Sequence, residues 1–233
     1  MANGAENFMS ALGGIQNKLN DQLPTLASRL ARLSDQELTI IARELDFFQE
    51  LNRLGYSDAL TDLMNECDDV ATKVFNQARS RGLQVQVATA QNLELIKELD
   101  AETLLGRARD FSSRYKSELL RGIIAGESGS QIVDRLTATL GTELTSGNLN
   151  LIVNDSFAKF SNSATFQAFA DEPTTRYRYV GVLDGKTRDS CREVLLDQKA
   201  NNPKGYTMEE IFSLPVGYDD RGGFNCRHDW VVT

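Results

Sequence analysis

Proline is nearly missing from the first 172 residues of this chain, and that absence narrows the fold more than any other feature. Pro24 is the one exception; Pro173, Pro203 and Pro215 all follow. A proline inside a helix removes a backbone hydrogen bond and clashes with the preceding turn, so a long stretch without it is open to continuous helix. The apolar residues of that stretch recur at helical spacing. Leu23, Leu26, Leu30 and Leu33 form one series; Leu38, Ile41, Leu45, Phe48 and Leu51 form the next. Ser34 followed by Glu37 is a capping box that divides them, Gly55 ends the second, and Ser57 can cap a third helix running to about Arg81 before Gly82.

Residues 83–88 (LQVQVA) alternate apolar and polar, which suits a short extended connector or a lone strand. Helical spacing resumes at Leu93, Ile96 and Leu99, and Asp100 can cap a long helix carrying Leu104, Phe111, Tyr115, Leu119 and Ile123. Gly126 and Gly129 break it, and Ser128 or Ser130 starts a shorter helix with Ile132, Leu136 and Leu140. After Gly141 and Gly147 a last long helix spans about 149–170. From Pro173 the pattern changes. Tyr177, Tyr179, Gly181 and Leu183 alternate with Arg178, Val180 and Val182 as in a strand; Asp184-Gly185 is a turn; 190–198 suits a short helix and 229–233 a terminal strand. The expected fold is mainly α: an elongated multi-helix body over residues 1–172, then a small α+β knuckle over residues 173–233. A tail of that size needs a staple or a neighbouring surface to hold it.

A hydrophobic share of 41% in 233 residues supports one large domain or two modest ones. The net charge of −8 argues against sequence-independent DNA binding, which needs clustered basic side chains. Arg107, Arg109, Arg114, Lys116 and Arg121 do gather on one expected helix, and the simplest reading is a solvated face balanced by nearby acids. The N-terminus has neither the basic start nor the apolar core of a signal peptide, and no apolar run is long enough to span a bilayer. Three widely spaced cysteines do not make a secreted disulfide framework, so a reducing cytoplasm is the expected place of synthesis. Cys67, alone in a helical pattern, suits a small buried apolar role.

Chemistry concentrates in the tail, which holds Cys191, Cys226, the only histidine (His228) and the only tryptophan (Trp230). One reading is a metal site, with zinc as the ion suited to thiolate and imidazole. Cys191, Cys226 and His228 would be ligands, with Asp184 or Asp189 giving a fourth, oxygen donor. A second is a Cys191–Cys226 disulfide, formed once the protein leaves the cell. A third is a Cys–His nucleophile with Asp229 orienting the imidazole. Structural roles outweigh catalysis here, because no oxyanion donor or further signature accompanies the pair. The glycine-rich run 126–130 lacks the Lys-Ser/Thr of a phosphate loop, and the acidic pairs Asp68-Asp69 and Asp219-Asp220 lack the companions of a calcium loop.

The order of these features resembles the phage head morphogenesis family of Mu F-like minor head proteins and related minor capsid proteins. The family shows an Asp-x-(Arg/Lys)-Thr segment followed by cysteine, and later an Asn-Cys-Arg-Cys or Asn-Cys-Arg-His ending. Asp184, Lys186, Thr187 and Cys191 match the first part; Asn225, Cys226, Arg227 and His228 match the second. Arg188 stands where the family often has another cysteine, and Gly223 and Phe224 replace a His-Pro pair. The match covers about the last eighty residues. The resemblance implies a non-enzymatic minor virion protein of a tailed phage. It would join the portal vertex during head assembly and could influence DNA packaging or ejection. Implied partners are the portal protein or major capsid protein in an oligomeric ring, with weak or no direct DNA binding and no membrane. The implied location is the virion, after assembly in the host cytoplasm. The alternatives are a metal- or Cys-dependent hydrolase carried in the virion, and an internal DNA-binding head protein.

Overall fold

A computed structural model describes residues 3–30, 32–170, 172, 174–218, 221–223 and 226–233. Pro173, Asp219, Asp220, Phe224 and Asn225, together with the side chain of Leu38, lie outside the described residues. The chain is mainly helical and carries a small two-stranded sheet near its C-terminus. The helices are α1 (Asn3–Leu30), α2 (Asp35–Glu44), α3 (Phe47–Arg53), α4 (Tyr56–Ser80), α5 (Val87–Ile124), α6 (Gly129–Leu140), α7 (Gly147–Phe169), α8 (Asp189–Ala200) and α9 (Met208–Ile211). The strands are β1 (Tyr177–Gly181) and β2 (His228–Val232).

Two compact units divide these elements. The first comprises Met1–Met64 and Asp100–Asn150, the second Asn65–Leu99 and Leu151–Thr233, so the chain passes between them inside α4, α5 and α7. In the first unit, α1 buries one unbroken stripe: Phe8, Leu12, Ile15, Leu19, Leu23, Ala27 and Leu30. Steps of three and four residues keep these on one face of the helix. Pro24 lies inside α1 with its side chain exposed, on the face away from the stripe. Ile132, Leu136 and Leu140 of α6 add to the same core, where Gly129 lets the start of α6 approach Ser28 closely. The buried Tyr56 hydroxyl donates to the Leu104 carbonyl at 2.7 Å.

The expected capping box of Ser34 with Glu37 forms, and Ser128 rather than Ser130 caps α6, with a box of its own to Gln131. Gly82 takes the left-handed conformation (φ +82°) that stops α4. Several boundaries differ from the sequence reading. The first helix begins at Asn3, well before Leu23, where the apolar series read from the sequence starts. The expected second helix is two, because Asp46 turns its carboxylate onto the amides of Phe48 and Gln49 and starts α3. Asp100 does not start a helix: α5 is continuous from Val87, and residues 83–86 are an irregular link, not a strand.

In the second unit a cluster of buried aromatic side chains surrounds Trp230. Tyr179 lies at 4.8 Å, Tyr206 edge-on at 6.0 Å and Tyr218 stacked at 6.4 Å between ring centroids. The indole N–H donates to the Gly217 carbonyl at 3.0 Å, so the tryptophan is buried with its polar atom satisfied. Ala78 of α4 and Ala168 and Phe169 of α7 belong to the same core as Tyr177, Tyr179, Cys191, Val194 and Trp230. The C-terminal α+β segment is therefore completed by helices that precede it in the chain, which supplies the neighbouring surface that so short a segment requires.

β1 and β2 run antiparallel, with Tyr179 opposite Trp230 and Gly181 opposite His228. The outer edge of β1 is closed without a third full strand. Tyr177 exchanges two backbone bonds of 2.8 Å with Tyr206. Beyond it the buried Gln198 side chain accepts from the Tyr179 amide at 2.6 Å and donates to the Tyr179 carbonyl at 3.1 Å. One glutamine thus imitates a strand residue.

Candidate metal centre

Three separate elements deliver Cys191, Cys226 and His228 to one point. Cys191 sits in the first turn of α8, where the helix dipole favours a thiolate. His228 opens β2, and Cys226 precedes it by two residues in the loop that enters the strand. Their donor atoms, Cys191 Sγ, Cys226 Sγ and a His228 ring nitrogen, lie within 4.8 Å of one another. Cys191 and His228 are buried and Cys226 is half-buried. Both thiols are free.

Two glycines make room for this convergence. A Cβ on Gly181 would fall 2.2 Å from His228 Cδ2, and a Cβ on Gly222 would fall 2.1 Å from Cys191 Sγ and 3.1 Å from Cys226 Sγ. Neither position has space for a side chain. Arg188, at the N-cap of α8, donates to the Gly222 carbonyl and draws that loop onto the helix end.

Two of the separations match a tetrahedral ion, and the third, between Cys191 Sγ and the His228 ring nitrogen, lies within 4.8 Å. Zinc–sulfur bonds of about 2.3 Å and zinc–nitrogen bonds of about 2.0–2.1 Å imply tetrahedral edges of about 3.8 Å between sulfurs and about 3.5 Å between sulfur and nitrogen. The observed distances are 3.7 Å between the two sulfurs and 3.5 Å from Cys226 Sγ to His228 Nδ1. On its other side His228 Nε2 lies 2.9 Å from the Val182 carbonyl. A carbonyl only accepts, so this bond puts the ring proton on Nε2 and leaves the Nδ1 lone pair facing the sulfurs. Metal-binding histidines are commonly oriented in this way. Cys191, Cys226 and His228 can hold a metal ion.

The electrostatics divide the two thiols. Burial raises Cys191 above the ordinary thiol range. Burial also opposes ionisation of Cys226, but the Tyr179 hydroxyl, the adjacent His228 ring and the backbone at His228 and Gly222 outweigh it, and the thiol falls to about 7.

The other candidates from the sequence are engaged elsewhere. Asp184 is not part of the cluster. Its carboxylate takes both ends of the Arg227 guanidinium at 2.9 and 2.7 Å and accepts from the Lys186 amide at 2.9 Å. The Arg227 bond, first, and the Lys186 amide hold its carboxyl well below the usual range. The Asp-Gly-Lys-Thr run is a folded turn tied to the loop before β2, and its aspartate is a clamp. Asp189, the alternative oxygen donor, is also not in the cluster. Asp229 does not orient the imidazole: it pairs with Arg221 at 2.8 Å. Arg221 is itself buried, with φ +53°, and pairs again with the buried Asp155 of α7 at 3.1 Å.

Sequence reasoning missed Tyr179, Gln198, Arg221 and the two glycines. Only Tyr179 left a signal, since alternation along 177–181 places it on the same face as the buried Tyr177. In the first unit, most of the basic run on α5 is occupied. Arg114 pairs with Glu143 and Arg121 with Glu118; Lys116 donates to the Leu45 carbonyl and Arg109 lies over the Phe48 ring. Comparison with protein-family models, with characterised proteins and with solved structures gives no match for this chain.

Proposed function

We propose that this chain is a minor virion structural protein of a tailed phage, without catalytic activity, that joins the portal vertex during head assembly. Its C-terminal segment is pinned by one zinc ion. The observation that carries the proposal is the order Asp184, Lys186, Thr187, Cys191 and then Cys226, Arg227, His228, the pattern of phage head morphogenesis proteins. The geometry gives that order a physical use. Asp184 clamps Arg227, and the donor atoms of Cys191, Cys226 and His228 meet within 4.8 Å of one another. A structural zinc site contributes its binding energy directly to folding, which suits a segment with a small core.

Two further observations support an assembly role over a catalytic or DNA-binding one. His228 is 2% exposed, and its ring nitrogens already face Val182 and Cys226. The first unit carries a groove of about 850 Å³ between α1 and the α2–α3 turn, floored by Leu19, Leu23, Ile41 and Phe47. Such grooves accept an amphipathic helix of a partner.

The test is co-expression with portal and major capsid proteins of tailed phages, then size exclusion with zinc measured on the same fractions. Co-elution with about one zinc per chain is the expected result. A folded, metal-loaded chain that binds neither portal nor capsid protein would overturn the assembly reading. It would bring forward a Cys-dependent hydrolase, with the low-pKa Cys226 thiol beside His228 as its nucleophile.

A further inference from the structure

We infer that the phenol oxygen of Tyr179 is the fourth donor of this centre, so that Cys191, Cys226, His228 and Tyr179 together close the metal's shell. The inference rests on the metal reading of the three clustered residues and deepens it.

Three donors leave one corner of a tetrahedron to fill, and the structure places one side chain there. Tyr179 Oη lies 3.3 Å from Cys191 Sγ and 3.4 Å from Cys226 Sγ. For a metal–oxygen bond of about 2.0–2.2 Å beside metal–sulfur bonds of about 2.3 Å, the tetrahedral edge is about 3.5–3.6 Å. The phenol thus stands within about 0.3 Å of the corner spacing from both sulfurs at once. It reaches that point from β1, the strand paired with the one that carries His228. The Tyr179 and His228 rings stack at 5.4 Å between centroids.

The surroundings argue that this placement is built. Tyr179 is 0% exposed. Gln198 holds both its backbone N–H and its carbonyl, and Trp230 packs on its ring. Among the described residues, the only hydrogen-bond partners of the hydroxyl are the two sulfurs. Thiols are weak acceptors, so a fully buried phenol is poorly satisfied by them alone. A cation between the three atoms would satisfy it. Asp184, the oxygen donor expected from the sequence, is committed to Arg227.

The charges balance. On metal binding Cys191, Cys226 and Tyr179 each release a proton to solvent, while His228 binds as the neutral ring. A divalent ion with three anionic donors carries one net negative charge. Arg188, bound to the Gly222 carbonyl, stands beside it. Without metal, burial keeps the phenol protonated. A bound cation reverses that preference, as it does for other oxygen ligands.

The experiment is zinc titration of the full chain, reduced and metal-free, followed by ultraviolet difference absorption for tyrosinate and by proton release. Wild type should develop one tyrosinate per zinc. Tyr177→Phe and Tyr206→Phe should keep that signal. Tyr179→Phe, with Trp230 emission unchanged as the sign of an intact fold, should lose it. That variant should release one proton fewer per zinc. Its affinity should fall more than 100-fold, beyond the 10–100-fold expected from losing an outer-shell partner. Zinc bound without a tyrosinate signal, and with equal proton release in Tyr179→Phe, would overturn the inference and leave the three-residue site standing. No zinc binding by wild type would overturn both. If Tyr179→Phe fails to fold, the wild-type signal and its persistence in the other two variants still decide the matter.

Discussion

Gln198→Leu is the sharpest test of how β1 is held. The glutamine carboxamide makes two bonds to one residue, accepting from the Tyr179 amide at 2.6 Å and donating to its carbonyl at 3.1 Å. Both residues are buried, so no water replaces the lost bonds. Leucine fills nearly the same volume but leaves one donor and one acceptor orphaned. Each such group costs about 1–3 kcal/mol, for a sum of about 2–6 kcal/mol. The added apolar burial of leucine returns about 1 kcal/mol. A net loss of about 1–5 kcal/mol is expected. Trp230 is the only tryptophan and lies in the same core, so its emission during urea unfolding reports on this unit. The transition midpoint should fall with little change in slope. Gln198→Glu should fall in between at neutral pH, because a carboxylate can still accept from the amide but cannot donate to the carbonyl. A loss below about 1 kcal/mol in Gln198→Leu, the worth of a single ordinary hydrogen bond, would refute the view that the side chain replaces a strand.

Other consequences are open to direct measurement. Asp155→Asn weakens one of the two carboxylate partners of buried Arg221; since Asp229 remains, the cost should be about 2–3 kcal/mol, at the low end for a broken buried pair, whereas Lys159→Met, on the exposed side of Asp155, should cost under about 1 kcal/mol by the same unfolding assay. Gly222→Ala should abolish zinc binding, read by metal content after gel filtration, because its methyl would occupy the space of the Cys191 sulfur. In the reduced, metal-free protein, iodoacetamide should modify Cys226 with a pH midpoint near 7, and peptide mapping should find the more buried Cys191, its thiol raised, slow at that pH. Asp184→Asn should loosen the loop before β2. Because the folded-state carboxyl is held low, wild type should gain from the Arg227 clamp above the ordinary aspartate range and lose it as pH falls below that range. The difference between the two proteins, followed by thermal unfolding, should therefore vanish in acid.

What could be read in the sequence was whatever is encoded locally. Ser34 with Glu37 and Gly82 specify helix ends through atoms a few residues apart and read correctly, whereas Ser128 and Ser130 stood equal until the bond to Gln131 chose Ser128. Asp100 had the chemistry of a cap but lies within a helix, because tertiary packing of α5 on both sides of it outweighs a weak local preference. The start of α1 was hidden by Gly13 and Gly14 and by the polar residues between its apolar positions, although the buried stripe runs straight through them. In the site, Cys191, Cys226 and His228 stood out by rarity. Tyr179 and Gln198 did not, since a tyrosine in a strand and a glutamine in a helix are ordinary until their partners are known. Arg221 finds Asp155 across sixty-six positions, and no local pattern signals such a meeting.

The second unit is written in two pieces, residues 65–99 and 151–233, with part of the first unit between them. No single cut can release it whole. A fragment starting at 174 would keep every metal-binding candidate but leave behind Ala78, Ala168 and Phe169, the surface on which its aromatic core rests. The segment is therefore a poor cassette for fusion or exchange. Any graft onto another body must carry α7 and the end of α4 with it, and recombination that replaced only the tail would have to match surfaces encoded about a hundred residues upstream.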